Sequence, residues 1–154
     1  MPVLVQAHVE PYLATLRKLF LDYADALGFD LAFQDFQQEI AGLPGEYRPP
    51  SGRAYVAFEG DVPVGCIALR GLDPGICEMK RMYVCPAFRG RHIGRLLATH
   101  IVQEARQIGY KAMRLDTVPW MTEAITLYLS LGFREIQPYR FNPIEGARFF
   151  ELEL

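Results

Sequence analysis

Between Ile76 and Val118 the sequence holds one strand–helix–strand unit, and it constrains the fold more than any other stretch. ICEMKRMYV reads as a strand that Pro86 ends. From Ile93 the apolar residues Leu96, Leu97, Ile101 and Ala105 recur at helical spacing until Gly109, and KAMRLDTV then returns to strand character. A crossover through a helix places its two flanking strands parallel. A ligand is expected outside the carboxyl ends of those strands, at the helix start.

The rest of the chain supplies antiparallel partners and covering helices. A short apolar strand at Val3 to Gln6 precedes a helix on which Leu13, Leu16, Phe20, Tyr23, Ala24 and Leu27 share a face, with Gly28 as its stop. A second helix is expected over Phe33 to Leu43, then an irregular loop, PGEYRPPSG. AYVAFE, a Gly60-Asp61 turn, VPVGCIALR and the breaker GLDPG lead into ICEMKRMYV as three antiparallel neighbours. After the crossover come a helix, WMTEAITLYLSLG, ending at Gly132, and two strands, in FREI and ARFFELEL. The order predicts a mixed α/β sheet in one domain covering residues 1–154.

A chain of this length buries about two thirds of its unfolded surface and needs no metal or disulfide staple. Cys66, Cys77 and Cys85 form no C-x-x-C pair, so neither a disulfide framework nor a zinc site is indicated. With no leader-like segment and no long apolar run, a soluble, cytoplasmic protein without membrane association is expected. The net charge of −2 argues against nucleic acid as a partner.

Against that balance, CPAFRGRHIGRLL is anomalous. Arg89, Arg91, His92 and Arg95 crowd the start of a helix, where partial positive charge already repels cations. Free N–H groups at such a start, with Gly90 and Gly94 allowing close approach, form a cradle for a phosphate-bearing anion. The nucleotide patterns G-x-x-x-x-G-K-[ST] and G-x-G-x-x-G are absent, so the ligand is another phosphorylated group.

At these residues the chain resembles the GNAT superfamily of N-acetyltransferases, and the likeness extends over essentially the whole sequence. The family signature, [QR]-x-x-G-x-[GA], reads here Arg89-Gly90-Arg91-His92-Ile93-Gly94, with His92 where the first signature glycine belongs. The resemblance implies a mostly antiparallel sheet of seven strands with helices on both faces and a split between the fourth and fifth strands. It implies acetyl-CoA as cosubstrate, its pyrophosphate held by the segment Arg89, Gly90, Arg91, His92, Ile93, Gly94 and Arg95. The pantetheine arm would run along the backbone of Met82, Tyr83 and Val84.

Acetyl transfer to an amine needs a neutral nucleophile, whereas an alkylamine of pKa ~10.4 is mostly protonated at neutral pH. Strict alternation puts Glu78, Lys80, Met82 and Val84 on one face of their strand and Met79, Arg81 and Tyr83 on the other. Glu78 stands at the spacing from Val84 at which several family members carry a general-base glutamate. Its alternative is a carboxylate paired with Lys80 or with a cation on a neighbouring strand. Tyr128, with Ala124 on the same helical face, matches the family tyrosine that stabilises the leaving thiolate. Met121 replaces an asparagine common in the family.

By the same resemblance the acceptor meets the first helices and the loop between the last strands. There Phe33, Phe36, Tyr47, Tyr139 and Arg140 suit a small amine, one carrying a carboxylate included. Two rival readings are a noncatalytic acyl-CoA-binding or sensing module and a structural domain whose arginines meet an acidic partner. The oligomeric state stays open, a homodimer included.

Overall fold

The computed structural model describes residues 2–154. The strands are β1 (Val3–Gln6), β2 (Arg53–Glu59), β3 (Val62–Asp73), β4 (Ile76–Val84), β5 (Ala112–Thr117), β6 (Arg134–Ile136) and β7 (Arg148–Glu153). The helices are α1 (Tyr12–Leu27), α2 (Phe36–Ala41), α3 (Ile93–Ile108) and α4 (Thr122–Ser130). One sheet runs β1-β2-β3-β4-β5-β7-β6, with β4 and β5 its parallel pair and antiparallel pairing elsewhere. The expected mixed, mostly antiparallel sheet of seven strands is the architecture observed.

Helices cover both faces because β2 and β3 carry apolar residues on both sides. Ile67, Leu69, Cys77, Met79, Met113 and Leu115 pack with α3 and α4 residues such as Leu97, Ile101 and Ile125. On the opposite face Val56, Cys66 and Ala68 pack with Leu16, Phe20 and Leu27 of α1. Burial on both faces explains why the central strands read as apolar runs rather than clean alternations.

Two features of the sheet shape the site. Parallel pairing of β4 with β5 is confined to Ile76↔Ala112, Cys77↔Met113 and Glu78↔Arg114, after which β5 continues beside β7 and leaves the far end of β4 without a neighbour on that side. The split expected between the fourth and fifth strands is this parting. The second feature is a β-bulge. The β3–β4 register passes from Ala68↔Lys80 to Cys66↔Tyr83, so Arg81 and Met82 together oppose Ile67, and Arg81 adopts φ 59°.

The bulge corrects the strict alternation. It restarts the two-residue period, so Met82 and Val84 join Cys77 and Met79 on the α3 face. Lys80 and Arg81 instead lie together on the α1 face, bonding to Gln34, and Tyr83 packs there as well.

The expected helix over Phe33 to Leu43 is also shorter than its apolar pattern suggested. The Asp30 carboxylate accepts from the Ala32 N–H at 2.9 Å and starts a tight turn over Ala32–Gln34. Asp35 then takes a left-handed conformation, φ 53°, and separates that turn from the six-residue α2. The breaker GLDPG contracts to Pro74 and Gly75, because β3 keeps pairing as far as Asp73↔Ile76.

Candidate active site

The segment Arg89–Arg95 surrounds the start of α3 and is exposed except at Ile93 and Gly94. α3 has no side-chain cap, and its first turn closes with the Leu96 N–H donating to the His92 carbonyl at 3.1 Å. The N–H groups of Ile93, Gly94 and Arg95 precede that bond and are the unsatisfied donors of the helix start. His92 sits at φ 62°, in the left-handed region, where the family signature has glycine. Its backbone therefore takes the turn that glycine would take, at a steric cost.

The arginine side chains form a rim around these donors. Arg89 donates to the Val84 carbonyl at 3.0 Å and lies over the Tyr83 ring. Arg91 lies over Phe88, and Arg95 donates to the Ser130 hydroxyl at 2.8 Å. Gly94 brings the helix start close to the end of β4 and to α4, since a Cβ there would lie 3.9 Å from Val84 Cγ2 and 3.7 Å from Leu127 Cδ2. The three elements that would share an extended phosphorylated thioester thus converge at one corner.

Tyr128, on α4, is buried beside Phe133. Burial raises its phenol above the ordinary range, and Tyr23 and Asp116 push the same way, so the hydroxyl stays protonated at neutral pH. Among the described residues it has no hydrogen-bond partner.

Glu78 is fully buried and covered by donors. Its oxygens accept from the Tyr139 hydroxyl at 2.7 Å, from Arg70 at 3.0 Å and from Arg140 at 3.1 Å, with Lys80 Nζ at 4.0 Å. Burial opposes its ionisation, but Lys80, Arg140, the Tyr139 bond and Arg70 together outweigh it and hold the carboxyl below the usual range. Two of those charges are guanidinium groups, which favour the carboxylate independently of Lys80.

Lys80 is as deeply placed, 5% exposed. Its Nζ donates to Gln34 Oε1 at 2.8 Å. Burial and the neighbouring Arg81 draw its pKa down to about 7 against the attraction of Glu78 and Asp116. Arg81 is held by a two-pronged pair with Glu39, at 2.9 and 3.0 Å, and stays charged.

Lys80 and Arg81 line a narrow pocket, a cavity of about 40 Å³, that opens beside the parting of β4 and β5. Its polar wall also includes Tyr23, Gln34, Asp116 and Asn142, the last donating to Asp116 at 3.1 Å. Its apolar wall comes from the end of α1, the following loop and the β5–α4 connection, Met121 among them. Of the acceptor residues expected from the sequence, Phe33 lines this pocket. Phe36 and Tyr47 are instead buried against α1, and Tyr139 and Arg140 are engaged by Glu78.

Lys80, Asp116 and Asn142 were not among the expected site residues. The available signal was adjacent charges, Lys80-Arg81, inside a strand otherwise fit for a core; the bulge that turns both to one face leaves no such mark. Among the described residues no His, Cys, Asp and Glu cluster suits a metal, and no helix is long and apolar enough to cross a membrane.

Comparison with known proteins agrees with this geometry. The chain is 39% identical over 140 residues, 90% of its length and 86% of the relative's, to an uncharacterized N-acetyltransferase of Schizosaccharomyces pombe. An acetyltransferase of the GNAT family from Staphylococcus aureus superposes with a TM-score of 0.81 at 21% identity over 99% of both chains. A Bacillus subtilis acetyltransferase solved in complex with CoA superposes with a TM-score of 0.71 at 18% identity, covering 100% of this chain and 99% of that one. Residues 13–133 match the acetyltransferase (GNAT) family, and the chain belongs to that family of N-acetyltransferases.

Proposed function

We propose that the protein transfers the acetyl group of acetyl-CoA to the primary amine of a small molecule by direct attack. The observation that carries this reading is the parting of β4 from β5 next to the uncapped start of α3. In it the N–H groups of Ile93, Gly94 and Arg95 take the pyrophosphate, inside the basic rim of Arg89, Arg91 and Arg95. Gly90 and His92 shape the turn, and Met82, Tyr83 and Val84 offer the free backbone edge of β4 to the pantetheine arm. The likeness to a solved acetyltransferase in complex with CoA supports coenzyme A as the ligand.

The amine enters the pocket beside β4, whose apolar wall suits an apolar body on the acceptor. When nitrogen attacks the carbonyl carbon, the C–S bond breaks and its electron pair goes to sulfur. Tyr128, a neutral phenol with an uncommitted hydroxyl, donates a hydrogen bond to that thiolate. Glu78 acts from beneath the pocket as an ionised centre that sets the field around Lys80.

The test is calorimetry with coenzyme A followed by thiol release with phenethylamine, tryptamine, putrescine, leucine and lysine. Binding together with amine-dependent thiol release is expected. Binding without turnover favours an acyl-CoA sensor, and no binding removes both coenzyme readings.

A further inference from the structure

Direct attack requires a group in the acceptor pocket that removes a proton from the incoming ammonium. The carboxylate at the expected base position is poorly placed for it, because Tyr139, Arg70 and Arg140 cover the Glu78 oxygens and the side chain has no exposed surface. Lys80 is nearly as buried but, unlike Glu78, it lines the pocket. Gln34, which accepts one N–H from Lys80 Nζ at 2.8 Å, lines the same pocket, and that bond leaves the lone pair of a neutral amine uncommitted. Resting on the acetyltransferase reading above, we infer that Lys80 is the general base, taking the acceptor's proton into the pocket while Glu78 acts through it as a positioning residue.

The charged and titratable surroundings of Lys80 decide whether such a base operates near neutral pH. On β4 itself Glu78 favours the ammonium and Arg81 disfavours it. From β5 Asp116 favours it, and from the loop before β7 Arg140 disfavours it. Tyr139 from that loop and Arg70 from β3 act on Glu78. Tyr23 of α1 shares the pocket, and Glu39 of α2 neutralises Arg81. With Lys80 almost out of water, these opposed charges leave an amine that titrates near neutrality, which is where a base is most effective.

The step balances without another reactant. The acceptor R–NH₃⁺ gives one proton to Lys80, and the free amine attacks the acetyl carbon. A C–N bond forms, the C–S bond breaks, and the second amine proton passes to sulfur, giving the amide and the free thiol. Lys80 then returns its proton to water.

The experiment is a kcat–pH profile at saturating amine for the best acceptor of the panel named above. The wild type is expected to climb through a limb near pH 7 and then level. Lys80→Met and Lys80→Arg should both lose about 10²-fold at neutral pH, and their rates should keep climbing toward the amine's own ionisation at ~10. Arginine preserves the cation and cannot give up its proton, so a Lys80→Arg variant with the wild-type profile would show a mere cation seat and overturn the inference. A wild-type profile without the limb overturns it as well, with acetyl transfer itself intact. Absence of transfer to every amine removes the acetyltransferase reading and this inference together.

Discussion

The Tyr139 hydroxyl donates to Glu78 Oε2 at 2.7 Å, fastening the loop before β7 to the middle of β4. With Arg140 on Oε1 of the same carboxylate, two consecutive loop residues are anchored to one buried charge. Removing that charge leaves Arg140 and the buried Lys80 without their carboxylate and Arg70 with Glu46 alone, so Glu78→Gln is expected to destabilise the fold by about 3–5 kcal/mol. Tyr139→Phe removes one charge-assisted bond and should cost about 1.5–3 kcal/mol. Urea denaturation measures both. The folded carboxyl ionises below its unfolded value, so its contribution is complete above that value and fades as pH falls through the folded pKa. The gap between wild type and Glu78→Gln should therefore narrow on acidification.

Tyr128 makes a different prediction because its hydroxyl has no partner to lose. Tyr128→Phe should leave stability within about 0.5 kcal/mol of wild type. It should lower kcat while coenzyme A affinity hardly changes, since the donor acts on charge that develops only as the C–S bond breaks. Calorimetry and steady-state kinetics on one preparation separate the two effects. A weakened coenzyme complex with unchanged kcat would instead make Tyr128 a packing residue.

His92 holds a left-handed backbone at the head of α3, φ 62°. A β-branched side chain tolerates that region poorly, so His92→Val should cost about 1–3 kcal/mol and weaken coenzyme A binding by disturbing the neighbouring donors. His92→Gly, which takes the same torsion without the steric cost, should keep or tighten binding. Equal affinities for the two variants would show that the imidazole, rather than the turn, governs this position.

Periodicity and spacing are local properties, and they made most of the fold legible. The stripe from Leu96 to Ala105 foretold α3, and the crossover foretold the parallel pair. The arginine and glycine pattern marks the start of that helix. What escaped depends on contacts distant in sequence. The bulge at Arg81 arises from pairing with β3, and it alone places Arg81 beside Lys80 on the α1 face. The covering of Glu78 by Tyr139 and Arg140 joins residues 61 and 62 positions apart, which no periodic pattern records. The shortened α2 turns on a single torsion at Asp35 that the apolar spacing around it does not reveal.

Lys80 gives the last prediction: its pH slope has the same sign as that of Glu78, but its replacement stabilises instead of destabilising. Its pKa is about 7 in the folded protein against 10.5 for the free side chain. At and below neutral pH both folded and unfolded chains carry the ammonium, and the native state bears the full cost of burying it beside Arg81. Between the two pKa values the unfolded chain binds a proton that the native chain does not, so this group's contribution to stability rises with pH. Replacement by methionine, which fills similar space without charge, should therefore stabilise the protein most near pH 6, and the gain should shrink steadily toward pH 10. Urea midpoints for wild type and Lys80→Met across that interval measure the difference. A gain that stays constant with pH would mean that the native amine keeps its proton throughout, because only a proton lost on folding can give the difference a slope.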